Sequence, residues 1–378
     1  MNNVLKRSVL DFKRELQITL DLVAQKQVPP ELAPFKAWLN GYYQHLQDEL
    51  LRQSYYVSLN DPDIEADIFN DLSRLQYYFR LVSRNFLPGL YRSHDNDRLA
   101  LKMLAWLHKQ HAQTLDKAFL ILDGEFAIQP TTELPLSYYL PIASQQSVLY
   151  FPLFFHELGH YLYQYHRQEM DELVGELQKK LEGHLALPFQ TNSPQHQEAA
   201  ERAKKIVETW YEWAQEFFCD AVGLVMGGRT YLKAFSYYLR LQGRGSFYLP
   251  EHELVNSGHP VTWLRIKFLI ERARELGLHN DADELAADWD IIAQTLGINE
   301  QYYGFYATGY HSDIWQTLND MITEAGPISF TDYLAETTAE DKPATANFVR
   351  LIHSAWEKFE TAPDEFLSWE ANLAKELQ

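Results

Sequence analysis

The sequence predicts an α+β fold that is mainly α, in which a small sheet lies between helical N- and C-terminal segments. Two patterns lead to this prediction. Apolar residues recur at helical spacing through most of the chain, and short runs typical of strands occur between residues 118 and 143. We divide the chain into an N-terminal helical segment (1–115), a core (116–275) and a C-terminal helical segment (276–378).

The N-terminal segment is predicted to contain four helices with short connections. In the first, apolar side chains recur from Val4 to Val23, and the pattern stops before Pro29. Asp61 precedes a proline at the start of the third helix, and Gly89 follows its end. The predicted helices cover residues 3–26, 31–53, 61–86 and 95–114.

A small sheet is predicted to follow these helices. The runs 118–122 and 125–129 flank Asp123-Gly124, and an Asp-Gly pair between two such runs favours a β-hairpin. Residues 138–143 are predicted to form another strand. Because Pro141 has no N–H to donate, we expect this strand at the edge of the sheet.

The rest of the chain is predicted to be helical, except for short connections, a loop at 187–193 and the stretch 242–260, which several glycines and prolines interrupt. The first of these helices begins at Ser147 or Pro152 and ends at Arg167. The others are predicted over residues 169–186, 193–226, 230–241, 261–276, 281–296, 310–324, 330–337 and 344–377.

Charge and composition exclude several classes of function. The formal net charge of −19 argues against nucleic-acid binding and against anionic membranes as partners. The single cysteine, Cys219, excludes an internal disulfide and a cysteine-rich zinc ribbon. The first residues lead into an amphipathic helix, and no run of 18 uncharged apolar residues occurs. We therefore expect a soluble, cytoplasmic protein.

The strongest chemical signal is His156-Glu157-Leu158-Gly159-His160, an H-E-x-x-H pattern inside an apolar run. Residues four apart share one face of a helix, so His156 and His160 can bind the same metal ion. Glu157 can reach a water on that metal and act as its general base. This pattern indicates a zinc site, which needs a third protein ligand and leaves the fourth position for water.

The best candidate for the third ligand is Glu216. It lies at the edge of an apolar stripe on a predicted helix, and Asp220 follows on the same face one turn later. Two carboxylates in apolar surroundings need a cation or hydrogen-bond donors, because burying an unpaired charge is costly. Glu216 can bind the metal, and Asp220 can accept a hydrogen bond from a ligand histidine and so fix its tautomer.

With both patterns in place, the chain resembles the gluzincin zinc metallopeptidases, which carry H-E-x-x-H on one helix and E-x-x-x-D on a later one. The resemblance implies a zincin-like core that binds Zn²⁺ through His156, His160 and Glu216. It makes Glu157 the base that activates the zinc-bound water, and Asp220 the residue that supports His156.

A third segment, from Asn256 to Ile266, resembles the His-Pro…Arg segment of the soluble core of CAAX-prenyl-protease-like gluzincins. This resemblance implies that His259 and Arg265 lie at the rim of the active site, where His259 donates to the oxyanion. In zincins, an edge strand upstream of the metal helix commonly pairs with the substrate backbone. We carry this role over to the strand at 138–143 as a hypothesis.

Another set of zinc ligands must also be considered. His166 falls at the third-histidine position of the metzincin pattern H-E-x-x-H-x-x-G-x-x-H, but Tyr163 occupies the position of its glycine. If the helix continues, His166 lies about 120° around from His160 and points away from the metal. Cys219 is interpreted as a small packing residue rather than a ligand.

The predicted function is zinc-dependent hydrolysis of peptide bonds, with a peptide or protein as substrate and Zn²⁺ as the cofactor. One alternative is a catalytically inactive zinc-bearing scaffold that acts as a protein-binding or regulatory module. Another is a helical regulatory protein without metal. The helical flanks can either gate the cleft or bind a protein partner, and their residues do not distinguish these roles.

Overall fold

Helices dominate this computed structural model, which describes residues 2–92, 97–144, 147–185, 194–240, 247–255, 257–297, 300–335 and 347–377. The chain forms two units. The first contains the residues up to 108 together with 116–144, and the second contains 109–115 together with the described residues from 147 to 377. The fold is α+β and mainly α, as predicted. The predicted three-segment division differs from these units, because the sheet groups with the N-terminal helices and the C-terminal helices group with the core.

The first unit is built on long amphipathic helices. In α1, the apolar side chains that recur from Leu5 to Val23 are buried, which accounts for the helical spacing of the sequence. Asn60, in the left-handed region with a φ of 54°, ends α2, and the Asp61 side chain then accepts a hydrogen bond from the Asp63 N–H. The helices are α1 (Asn2–Gln25), α2 (Ala33–Leu59), α3 (Glu65–Asn85), α4 (Leu87–Arg92) and α5 (Arg98–Gln110).

The sheet has three strands, β1 (Phe119–Asp123), β2 (Ala127–Gln129) and β3 (Leu136–Leu140), in the order β1-β3-β2. β1 pairs with β3 in parallel, and β2 pairs with β3 antiparallel. The predicted hairpin is therefore wrong, because β3 lies between the two strands that Asp123-Gly124 was expected to join. The side chains of β3 are buried at four of its five positions, which is consistent with a central position.

The predicted edge strand at 138–143 is also wrong. β3 ends at Leu140, so Pro141 lies outside the hydrogen-bonded ladder and does not restrict the strand to an edge. Both sides of β3 are already paired, with β1 and with β2. The hypothesis that this strand pairs with a substrate backbone therefore loses its structural basis.

The second unit packs helices around α8, which is largely buried from residue 206 onward. α6, α7, α9, α11 and α13 all contact α8. The described part of the predicted helix 344–377 is instead two helices. The break occurs before Pro363, because proline is favoured at the first position of a helix. The helices are α6 (Leu153–Tyr165), α7 (Arg167–Leu185), α8 (Pro194–Gly227), α9 (Arg229–Leu239), α10 (Glu251–Leu254), α11 (Thr262–Glu275), α12 (His279–Leu296), α13 (His311–Ala325), α14 (Phe330–Ala335), α15 (Phe348–Thr361) and α16 (Pro363–Leu377).

Two contacts set the position of α6 within this unit. Gly159 lies against α8 so closely that a Cβ there would be 2.9 Å from the Cα of Cys219. Before α6, the backbone N–H of Val148 donates a 2.8 Å hydrogen bond to the Glu370 carboxylate of α16. Among the described helices, none is both long and apolar enough to cross a membrane.

Replacing Gly159 with alanine should separate α6 from α8, because the new methyl group would overlap Cys219. We expect Gly159→Ala to lower the free energy of unfolding by about 1–3 kcal/mol. Gly175→Ala in α7 is the matched control, because a Cβ there meets nothing within 4 Å. The control should be neutral or stabilise the protein by up to about 1 kcal/mol. Urea unfolding of both variants measures the difference, and equal effects would contradict the close packing.

His353 should make stability depend on pH. Burial lowers its pKa from 6.5 to about 4, despite a hydrogen bond with the Gly227 backbone. Between pH 6.5 and 4, the unfolded state therefore binds more protons at this residue than the folded state does. The contribution of neutral His353 to stability is complete above pH 6.5 and decreases as the pH is lowered. From pH 7 to 5, the stability of wild type relative to His353→Phe should fall by about 1–2 kcal/mol. A difference in unfolding free energy that is independent of pH would contradict this.

Candidate metal centre

His156 and His160 lie one turn apart on α6 and face the same side, with their ring centroids 5.0 Å apart. α6 is almost entirely buried, so these imidazoles and the neighbouring Glu157 are held among apolar side chains. The Glu157 carboxylate is buried, and its charge acts on His156 and on Cys219. The helix thus places two nitrogen donors and a carboxylate together, as the H-E-x-x-H pattern predicts.

Glu216 brings a carboxylate from α8 to both histidines. Its Oε2 lies 3.6 Å from the Nε2 of His156, and its Oε1 lies 3.5 Å from the Nε2 of His160. Nitrogen and oxygen ligands at about 2.1 Å from a tetrahedral zinc ion are separated by about 3.4 Å. Within the described residues, the buried Oε2 of Glu216 accepts no hydrogen bond, although Arg265 Nη2 lies 3.1 Å away. The donor types fit a zinc ion, and each of the two Nε2 atoms lies at about this separation from one oxygen of Glu216.

The charge state of Glu216 also suits a ligand. Burial raises the pKa of its carboxyl, but Arg265, His156 and His160 lower it more strongly. The net result is a pKa below the usual value, so Glu216 is a carboxylate near neutral pH. An ionised carboxylate is a ready acceptor for a cation.

Asp220, one turn after Glu216, contacts the opposite side of His156. Its Oδ1 lies 3.0 Å from the Nδ1 of His156, and the Arg265 guanidinium donates to both of its oxygens at 2.7 Å. Burial raises the pKa of Asp220, but the charge and hydrogen bonds of Arg265 and the hydrogen bond from His156 hold it well below the usual range. Asp220 is thus a fully ionised acceptor for the proton on Nδ1.

The two histidines differ in their affinity for protons. Burial, reinforced by the charge of His156, lowers the pKa of His160 to about 4. Burial also lowers the pKa of His156, but the hydrogen bond and charge of Asp220 and the charges of Glu216 and Glu157 raise it above its ordinary value. Because Asp220 accepts the Nδ1 proton, the Nε2 of His156 is the atom that faces Glu216 and can bind a metal.

His259 and Arg265 occupy different depths, although both were expected at the rim. The His259 side chain is 69% exposed, and its Nε2 lies 3.5 Å from the Oε1 of Glu216. Hydrogen bonds between Ser257 and the His259 backbone shape this loop, and the indole N–H of Trp213 donates to the Ser257 carbonyl. Arg265 is instead buried, and its charge is shared between Asp220 and Glu216.

His166 belongs to a different part of the unit. α6 ends before it, and its Nδ1 lies 3.3 Å from the Oε1 of Glu324 on α13. It forms a cluster with Glu169 and Glu324, whose potential ligand atoms lie within 4.8 Å of one another. The metzincin arrangement would need this histidine beside His156 and His160, which the end of α6 does not provide.

Cys219 is a second candidate for the third ligand. Its sulfur, one ring nitrogen of His156 and one ring nitrogen of His160 all lie within 4.8 Å of one another. The thiol is buried, and both burial and the nearby carboxylates raise its pKa well above the usual value. Because a metal ligand must be the thiolate, this environment favours Glu216 over Cys219.

Tyr231 is a residue of this centre that no sequence pattern identifies. It lies in the first turn of α9, and its hydroxyl donates to the Oδ1 of Asp220 at 2.9 Å. The only sequence signal is indirect. Gly223, on the buried face of α8, leaves space for the tyrosine ring, because a Cβ there would lie 2.4 Å from the ring. A glycine inside an apolar helix does not indicate which residue approaches it.

The comparisons with known proteins found no match, whether with protein-family models, curated proteins or solved structures. The interpretation of this centre therefore depends on its residues and their geometry.

Removing the Glu216 carboxylate should abolish tight zinc binding. We expect Glu216→Ala to weaken affinity by more than the roughly 10–100-fold that loss of an outer contact costs. Cys219→Ala and His166→Ala should each keep the wild-type affinity within a few-fold. Competition with a chromophoric chelator measures the affinity, and circular dichroism checks that each variant is folded. Loss of zinc in Cys219→Ala but not in Glu216→Ala would identify the sulfur as the third ligand.

Proposed function

We propose that this protein is a zinc-dependent metallopeptidase that hydrolyses peptide bonds in a peptide or protein substrate. The observation that carries the proposal is the meeting of His156, His160 and Glu216, in which one oxygen of the Glu216 carboxylate lies 3.6 Å from the Nε2 of His156 and the other lies 3.5 Å from the Nε2 of His160. Glu157, beside the first histidine, supplies the carboxylate that hydrolysis needs. A purely structural zinc site uses four protein ligands and needs no adjacent general base.

The residues of the centre have separate roles in this reaction. When bound, zinc lowers the pKa of water toward neutrality and polarises the scissile carbonyl. Glu157 takes the proton from the attacking water and passes it to the leaving amine, so that one carboxylate serves as base and then as acid. Asp220 and Arg265 hold His156 and Glu216 in place from behind.

His259 is the candidate donor to the tetrahedral oxyanion. Its ring is exposed at the mouth of the centre, and its Nε2 lies close enough to Glu216 to share the reacting region. A donor aimed at the developing negative charge stabilises the transition state more than the bound substrate.

The test compares wild type with Glu157→Gln on a library of unfolded proteins and peptides, together with the zinc content of each protein. Glu157→Gln should retain zinc and lose turnover by about 10²–10⁴-fold, because the amide binds no proton. Glu182→Gln, an exposed glutamate of α7, is the matched control and should retain full activity.

Stoichiometric zinc in a wild-type protein that does not cleave any member of the library would favour the inactive scaffold. Equal turnover in wild type and Glu157→Gln would remove Glu157 from the reaction. A purified wild type without zinc after metal-replete expression would reject the metal centre itself.

A further inference from the structure

The Tyr231 ring is held in a fixed position. It is fully buried, and it stacks on Phe235 with centroids 5.4 Å apart. The ring also lies so close to α8 that even a Cβ at Gly223 would come within 2.4 Å of it. The position of the phenolic oxygen is therefore restrained by packing as well as by its hydrogen bond.

The hydroxyl reaches the same carboxylate oxygen as the metal-binding histidine. It donates to the Oδ1 of Asp220 at 2.9 Å and lies 3.4 Å from the Nδ1 of His156. Oδ1 also lies 3.0 Å from that Nδ1 and accepts from Arg265 Nη2 at 2.7 Å. The hydroxyl is the donor in this contact, because an ionised carboxylate oxygen can only accept.

These contacts define the orientation of Asp220. The Arg265 guanidinium donates to both oxygens of the carboxylate through two nitrogens. By itself, this contact still permits the plane of the carboxylate to rotate about the line that joins its two oxygens. A second donor that approaches Oδ1 from α9 opposes that rotation. With the plane held, the Oδ1 lone pair that faces Nδ1 stays aligned, and the imidazole of His156 keeps its Nε2 directed at Glu216.

We propose that Tyr231 is a positioning residue of the metal centre, which acts on His156 through Asp220. The hydroxyl and the Arg265 guanidinium together orient Asp220 so that His156 carries its proton on Nδ1 and presents Nε2 to the metal. This inference rests on the proposed function, because it assumes that His156 is a zinc ligand. It assigns a role to α9, which the H-E-x-x-H and E-x-x-x-D patterns do not include.

Tyr231→Phe tests the proposal, because it removes the hydroxyl and keeps the ring. Tyr163→Phe is the matched control. Tyr163 is also buried and donates to a carboxylate at 2.9 Å, but its partner is Asp171 on α7. We expect zinc to dissociate about 10-fold faster from Tyr231→Phe than from wild type, whereas Tyr163→Phe should match wild type. The visible spectrum of the Co²⁺-substituted protein should change only in Tyr231→Phe.

A double-mutant cycle tests the route of the effect. If Tyr231 acts through Asp220, the change from tyrosine to phenylalanine should have little further effect on zinc dissociation in an Asp220→Asn background. On the substrate found for wild type, Tyr231→Phe should lower kcat with little change in KM. Additive effects of the two substitutions would overturn the proposed route through Asp220.

Wild type supplies a measurement that does not depend on folding of the variants. In the zinc-bound protein, the ¹⁵N shifts of His156 should show a protonated Nδ1 and a metal-bound Nε2. A proton on Nε2, or identical zinc dissociation from Tyr231→Phe and Tyr163→Phe, would overturn the proposal for Tyr231 while zinc binding and turnover by wild type stand. Absence of zinc from wild type would overturn the proposed function, and with it this inference.

Discussion

The buried ion pair between Asp220 and Arg265 is the interaction on which the proposed metal centre depends. Asp220 and Glu216 lie one turn apart on α8, and without a cation these two buried carboxylates would repel each other. The guanidinium from α11 is bidentate on Asp220 and also 3.1 Å from Glu216. Each of these charges would cost several kcal/mol if it were buried alone, so their arrangement is stable only as a set.

Close packing between α6 and α8 supplies the second condition. The ligand atoms can meet only if the two helix backbones approach closely, and Gly159 makes this possible because it has no side chain to separate it from Cys219. Glycine within the H-E-x-x-H pattern thus has a structural role that is independent of the chemistry of its neighbours. The position of His160 relative to Glu216 follows from this backbone contact.

Features that depend on local periodicity could be predicted from the sequence. The spacing of apolar residues located most of the helices, and the H-E-x-x-H and E-x-x-x-D patterns selected residues that the structure brings together, because residues four apart always share a helix face. The sheet could not be predicted in this way. Asp123-Gly124 indicates a turn locally, but the strand that occupies the space beside β1 comes later in the chain.

The same limit explains the outcomes for Arg265 and Tyr231. A family pattern identified Arg265 but not its depth, because burial is decided by the carboxylates of α8 that surround it. Tyr231 belongs to no pattern, and its role results from the turn between α8 and α9 that returns the chain to Asp220. Contacts between elements of this kind are determined by tertiary packing, which single-sequence periodicity does not describe.

The hydrogen bond between Val148 and Glu370 has a consequence for the order of folding. Its partners are separated by 222 positions, and it lies immediately before the helix that carries the two histidines. During translation, the backbone that leads into α6 cannot gain this contact until residue 370 has left the ribosome. Chain segments that depend on such distant partners are completed late, because a large loop must close first. The helix that carries the two histidines is thus synthesised well before residue 370, and it reaches its final surroundings only after that residue has emerged.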